Sequence, residues 1–313
     1  MNNAKIIFFG TPEFGMRILK TLIEEKYNIV AAVSQPDRPT GRKHVITATP
    51  VHQLCNENGI PCLQPEKLSL IKEDIQSYQP DLILTCAYGQ FIPSSILAIP
   101  SLGCLNIHPS LLPKYRGGAP IQHAVMNGDT ETGVCIQQMV KAMDAGDIYA
   151  CRHVSIGEDE TFSELNERLI AVSISLMNEM LPKYLAGELK GMPQDEAGIV
   201  LAPNISAEEE KVKFQEEDLD HVYDHIRGLI DWPIAYGIVD GVRIKFFRVR
   251  KANRMDEHAA VGTILGFADH AMEISCRGGI LKVYELQMEG KKRMNADVFE
   301  NGCGRELIGK VFA

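Results

Sequence analysis

Short, uninterrupted apolar runs recur through the first third of this chain: KIIFFG at 5–10, NIVAAVS at 28–34, DLILTCAYG at 81–89 and CLNIH at 104–108. A strand that shows one face to water alternates apolar and polar residues, whereas one covered on both faces is apolar throughout. Between the runs lie helical patterns, TPEFGMRILKTLIEE, TPVHQLCNENG and LSLIKEDIQSY, with IPCLQ as one more short strand. Strand and helix alternating in this way, with right-handed crossovers, give a parallel, doubly wound, Rossmann-like sheet. The expected class is α/β.

Thr11-Pro12 offers an N-cap followed by proline at the first helical position. The turn lacks Gly-x-Gly-x-x-Gly, so a nicotinamide dinucleotide on the first helix is not supported. The next connection, SQPDRPTGRKHVITA, is too long for a simple βα loop and carries Arg38, Arg42 and Lys43. Farther on, GGAPIQHAVMNG reads as a helix, and TGVCIQQMV and IYACRHVSI as paired strands. A long amphipathic helix then starts at Thr161, with Glu164 completing a capping box. From 188 to 206 the pattern dissolves into Gly, Pro and polar residues, which predicts a linker between a catalytic domain at 1–187 and a second domain at 207–313. After a short helix, DLDHVYDHIRGLI, the second domain alternates and turns as an all-β chain does. A small barrel of OB type suits that pattern.

The chemistry concentrates between residues 103 and 147. In CLNIH, side chains two apart share a face, so Asn106 and His108 project together while Leu105 and Ile107 point to the other side. Pro109 cannot continue the ladder, so the pair is presented at the carboxyl end of its strand, where open α/β sheets bind ligands. Asp144, in the MDAGD turn, reaches the same place if the hairpin folds back. An amide that donates to an oxyanion, an imidazole that moves a proton and a carboxylate that orients it suit acyl transfer to an amine. Taken alone, Asn-x-His also reads as a strand-end turn former beside a satisfied core histidine. The neighbouring residues decide between the two.

Those neighbours are Ser110-Leu111-Leu112-Pro113, Tyr115-Arg116-Gly117, Ala119-Pro120-Ile121, Glu131-Thr132-Gly133 and Asp144-x-Gly146-Asp147. With the opening Phe9-Gly10-Thr11-Pro12-Glu13-Phe14, the loop Gln35-Pro36-Asp37-Arg38-Pro39-x-Gly41-Arg42 and Gly290-Lys291-Lys292-Arg293-Met294, the chain resembles the folate-dependent formyltransferases over nearly its whole length. The closest resemblance is to the branch whose acceptor is methionyl-initiator tRNA. It implies 10-formyltetrahydrofolate as cosubstrate, with Asn106, His108 and Asp144 as the catalytic group. It also implies that Ser110, Leu111, Leu112, Pro113, Tyr88 and Gly89 line the folate site. Arg42, Lys43, Arg38, Lys291, Lys292 and Arg293 are then the expected tRNA contacts. The sequence departs from the family at His44-Val45-Ile46-Thr47, where further lysines are usual, and at Asn204. Formyltransferases that act on amino-sugar nucleotides, and a non-catalytic tRNA-binding homologue, are the competing readings.

Composition narrows the remaining choices. A net charge of −9 argues against an indiscriminate nucleic-acid binder, yet residues 241–313 hold 13 Lys and Arg against 9 Asp and Glu. The eight cysteines show no Cys-x-x-Cys and read as reduced core thiols of a cytoplasmic protein. No stretch is long and apolar enough for a membrane span, and no signal peptide is expected at the N-terminus. His221 and His225 lack a third ligand, so no metal is expected. A monomer is expected.

Overall fold

The computed structural model describes all residues except 1–2, 41–44 and 253–258. Its contacts divide the chain into two compact units: Met1–Gly118, Gly133–Val154 and Glu167–Ala202 form one, and Ala119–Thr132, Ser155–Asn166 and Pro203–Ala313 form the other.

In the first unit, β1 (Ile6–Gly10), α1 (Glu13–Glu24) and β2 (Ile29–Val33) open the chain. They are followed by a ribbon of β3 (Arg38–Thr40) and β4 (Val45–Thr47), then α2 (Pro50–Asn58) and β5 (Cys62–Leu63). Next come α3 (Lys72–Ser77), β6 (Leu82–Cys86), α4 (Ser94–Leu97) and β7 (Cys104–His108). A hairpin of β8 (Glu131–Gln138) and β9 (Ile148–Ser155) completes the sheet in the order β5-β2-β1-β6-β7-β8-β9. The β1–β2, β1–β6, β2–β5 and β6–β7 pairings are parallel, as the apolar runs predict, while β8 joins β7 antiparallel. Ile6, Ile7, Phe8 and Phe9 are all fully buried, as are Leu82, Ile83 and Leu84.

Two local expectations need correction. Thr11 does not cap α1 with its side chain: Pro12 takes the N-cap position, and the Thr11 hydroxyl instead donates to the Tyr88 carbonyl at 2.8 Å, tying the helix start to the turn after β6. The cysteines are not all free. Cys135 on β8 and Cys151 on β9 are disulfide-bonded, because adjacent strands bring their α-carbons within 4.1 Å, while Cys55, Cys62, Cys86, Cys104, Cys276 and Cys303 are free.

The second unit holds α5 (Pro120–Met126), the start of α6 (Phe162–Leu185) and α7 (Leu219–Gly228). The capping box of α6 is made: Glu164 accepts from the Thr161 N–H at 2.9 Å, and the Glu164 N–H reaches the Thr161 hydroxyl at 3.4 Å. Strands β10 (Tyr236–Val239), β11 (Val242–Ala252), β12 (Ile264–Ala268), β13 (Ala271–Cys276), β14 (Gly279–Met288) and β15 (Met294–Asn295) follow, then α8 (Ala296–Gly302). Asp240 and Gly241 join β10 to β11 with φ +49° and +77°, the conformation a two-residue hairpin turn needs. The sheet runs β10-β11-β14-β13-β12, with β15 on β14. Among the described residues its strand pairing is antiparallel and does not close into a barrel. Phe214, Phe246 and Phe312, with centroids 5.1–6.1 Å apart, centre its core.

Candidate active site

Asn106 and His108 lie on the last turn of the pleat in β7. Asn106 faces Thr85 of β6 on one side and Gln137 of β8 on the other. The Thr85 hydroxyl donates to Asn106 Oδ1 at 2.7 Å. The Asp144 carboxylate, which only accepts, fixes which way the amide points: Nδ2 turns toward Asp144 Oδ1 at 3.4 Å, and the oxygen faces Thr85. One of its two hydrogens is thereby left for another acceptor.

His108 is 4% exposed. Its Nε2 lies 2.9 Å from the Tyr115 carbonyl, and because a carbonyl only accepts, Nε2 carries a proton. Nδ1 faces Asp144 Oδ1 at 3.7 Å, beyond hydrogen-bonding distance. The imidazole is thus oriented by the backbone of the Ser110–Gly117 loop rather than by the carboxylate. Tyr115 itself sits at φ +62°, an uncommon backbone state for a residue with a side chain.

Asp144 is held in the left-handed region at φ +48° in the β8–β9 hairpin. Its Oδ2 accepts the Gly117 N–H at 2.9 Å, and its Oδ1 accepts Gln137 Nε2 at 2.8 Å. The carboxylate therefore lies at the strand end, beside Asn106 and His108. Gln137 and Gln194 complete its surroundings, and sequence reasoning missed both. Gln137 sits in an apolar strand two positions from a cysteine, and Gln194 lies in the stretch expected to be a linker. Only the pairing of β8 with β7, which sets Gln137 opposite Asn106, could have singled out the first. No local signal marks the second.

The expected folate-site residues divide between surface and core. Ser110 is fully buried, and its hydroxyl donates to the Lys114 carbonyl at 2.7 Å. Leu112 is buried too, leaving Leu111 and Pro113 partly exposed. The Tyr88 ring packs edge-on against Phe9 at 5.2 Å, and burial pushes its hydroxyl up to about 12. What the turn offers at the sheet edge is backbone, with Ala87 and Gly89 both exposed and at φ +50° and +86°.

Of the expected tRNA contacts, Arg42 and Lys43 lie outside the described residues. Arg38 pairs with Glu66 at 2.6 Å. The ribbon is anchored by Asp37, which accepts from the Thr49 N–H at 3.1 Å and from Gln64 Nε2 at 2.7 Å, and pairs with His52 at 2.9 Å. Beside the ribbon is a cleft of about 650 Å³, lined by Met16, Gln35, Arg38, Thr47, Gln53 and Leu54 among others. In the second unit, Lys291 and Lys292 are exposed. Arg293 is engaged on two sides, forked onto Glu285 at 2.7 Å and stacked over the Phe247 ring at 4.2 Å. The Arg293 guanidinium holds the Glu285 carboxyl below its ordinary value.

No group of three or more His, Cys, Asp and Glu side chains among the described residues is arranged to hold a metal. His221 is paired with Asp218 at 2.8 Å, and His225 Nε2 contacts the Glu209 carbonyl at 2.7 Å.

Comparison with known proteins bears on this geometry. Residues 4–181 match the family model "Formyl transferase", and 204–304 match "Formyl transferase, C-terminal domain". The chain is 41% identical over 311 residues to the methionyl-tRNA formyltransferase of Halalkalibacterium halodurans, covering 98% of both. Its fold is similar to that of HypX from Aquifex aeolicus in complex with tetrahydrofolic acid, with a TM-score of 0.70 at 18% identity. That match covers 98% of this chain and 48% of HypX, so the chain spans about half of that protein. WlaRD, a sugar 3N-formyl transferase, matches with a TM-score of 0.66 at 15% identity, covering 93% of this chain and 100% of WlaRD. At such identities the likeness is one of fold, and the fold does not choose the acceptor.

Proposed function

The chain belongs to the formyl transferase family, and from that premise we propose that it transfers the formyl group of 10-formyltetrahydrofolate to the α-amine of methionyl-initiator tRNA. The observation that carries this reading is the convergence of Asn106, His108 and Asp144 at the carboxyl end of β7, 3.4 and 3.7 Å apart across the Asp144 carboxylate. The near-full-length likeness to a methionyl-tRNA formyltransferase favours the tRNA acceptor over an amino-sugar nucleotide.

The cosubstrate supplies an electrophilic formyl carbon. The amine attacks that carbon, a C–N bond forms, and the bond to the folate nitrogen breaks as tetrahydrofolate leaves. Asn106 Nδ2, which keeps one hydrogen beyond the one directed at Asp144, donates to the oxygen on which charge develops. With Nε2–H committed to Tyr115, Nδ1 is the imidazole nitrogen that can take the proton the amine loses. Asp144 lies beside it to balance the imidazolium and help pass that proton to the leaving nitrogen. The exposed backbone at Ala87 and Gly89, with Leu111 and Pro113, suits a flat, polar-edged ring held by main-chain groups.

On the acceptor side, Arg38, Arg42 and Lys43, and the basic residues Lys291, Lys292 and Arg293, are the phosphate contacts. We read the second unit as OB-like: residues 310–313 hydrogen-bond to β12 through the Lys310 carbonyl, to Gly262 just before β12 through the Phe312 N–H, and to β10 through the Ala313 N–H. One chain carries both catalytic group and basic residues, which suits a monomer, and its acceptor is met in the cytoplasm, where translation starts.

The test is transfer of labelled formyl to charged initiator tRNA, with charged elongator tRNA and an amino-sugar nucleotide as alternative acceptors. Label on the initiator methionine in strong preference to the others is expected. Label on the sugar alone would overturn the acceptor assignment.

A further inference from the structure

We infer that Gln194 is a positioning residue for formyl transfer, the link through which Arg116 and Gln137 aim the Asp144 carboxylate. The inference rests on the formyl-transfer reading above for its reaction and on the following bonds for its geometry. Arg116 Nε and Nη2 both donate to Gln194 Oε1, at 3.1 and 2.8 Å. A guanidinium only donates, so the amide can point only one way. Its nitrogen then faces three oxygens: Gln137 Oε1 at 3.1 Å, the Asp144 carbonyl at 2.8 Å and the Gly146 carbonyl at 2.8 Å. Gln137 is 1% exposed. With its oxygen occupied, its nitrogen donates to Asp144 Oδ1 at 2.8 Å.

The bonds all run in one direction, from the Arg116 cation through two amides to the Asp144 carboxylate. Hydrogen bonds in such a series polarise one another in a low-dielectric setting. Gln194 also clasps two carbonyls of the turn that keeps Asp144 at positive φ. The turn is pressed against β8, since a Cβ at Gly146 would run into the Gln138 carbonyl. Arg116 is fixed in its turn. Its N–H donates to the Val200 carbonyl at 2.9 Å, and the Ala202 N–H donates to the Arg116 carbonyl at 2.8 Å. The stretch after α6 is thus a strap that carries Gln194 to the site. Gln194 bonds Arg116, Gln137 and the Asp144 turn, so its effect is exerted through Asp144.

The experiment uses the full chain as Gln194→Ala and Gln194→Glu. Glutamate keeps the length and still accepts from Arg116, but it offers no donor to the three oxygens. In both variants kcat is expected to fall by up to about 100-fold, with KM for either substrate within about twofold of wild type, because aim rather than binding is lost. Hydrogen exchange at the Gly117 N–H, which bonds Asp144 Oδ2, is expected to speed up. A folded Gln194→Glu chain with kcat within about twofold of wild type overturns the proposal, whatever the exchange shows. If Gln194→Ala does not fold, Gln194→Glu still decides. If wild type forms no formylmethionyl-tRNA, the reaction reading fails on its own, and exchange at Gly117 decides the positioning: accelerated exchange supports it, and an unchanged rate overturns it.

Discussion

Asp144 accepts a hydrogen bond on each carboxylate oxygen, from the Gly117 N–H and from Gln137 Nε2. Asparagine has a single acceptor oxygen, so one of these donors would face an NH₂ group in an Asp144→Asn variant. A buried donor without an acceptor costs about 1–3 kcal/mol. Urea unfolding should therefore show a loss of about that size, and kcat should fall further than stability alone explains; an unchanged midpoint would mean the turn re-forms around the amide. At this scale the shared placement of Asn106 and His108 was legible because period-two alternation puts both on one face and Pro109 ends the strand. The tautomer of His108 was not legible, since it depends on the Tyr115 carbonyl, seven residues away and at positive φ. Gln137 and Gln194 were hidden for a related reason: they act through bonds spanning 57 residues of chain, and a glutamine in a strand or a loop looks ordinary.

Among the elements, the β3–β4 ribbon is anchored at its base by the Asp37 carboxylate, beside the Arg38–Glu66 pair. Burial pushes the Asp37 carboxyl up, but hydrogen bonds from Gln64, His52 and the Thr49 N–H outweigh it and hold the group below its ordinary value. A carboxyl depressed in the folded state stabilises the fold fully above the ordinary carboxylate range, and that contribution is lost as pH falls through the depressed value. The difference in unfolding midpoint between wild type and Asp37→Asn should thus be largest near neutrality and shrink in acid. A difference independent of pH would remove the ionised Asp37 as the anchor. The ribbon was not foreseen within SQPDRPTGRKHVITA, because strands of three residues carry too little periodicity to read. Thr11 misled for another reason: the Tyr88 carbonyl, 77 residues on, competes for the hydroxyl that would have capped α1.

On the scale of the whole molecule, alternation of elements gave the parallel sheet of the first unit and the antiparallel pattern of the second. It could not give the division between them. Residues 119–132 and 155–166 group with the C-terminal part, and 188–202 with the N-terminal part, through contacts that local periodicity does not encode. The opposed charges of the chain make a further prediction. If Arg42, Lys291 and Lys292 neutralise phosphates, the affinity for initiator tRNA falls with salt, and each lost cation flattens the log–log slope by ~0.7–0.9. Filter binding across a salt series, with Arg42→Leu and the Lys291→Ala, Lys292→Ala pair, measures this; parallel slopes would exclude these side chains as phosphate contacts. The central claim is that the strand-end group performs the transfer, and a single-turnover measurement tests it most directly. Wild type and Asn106→Ala, each saturated with 10-formyltetrahydrofolate and methionyl-initiator tRNA, are followed by rapid quench. The account predicts formyl transfer slower by about 10²- to 10³-fold in a variant that folds normally, the loss expected for one oxyanion donor. Transfer at the wild-type rate would contradict it.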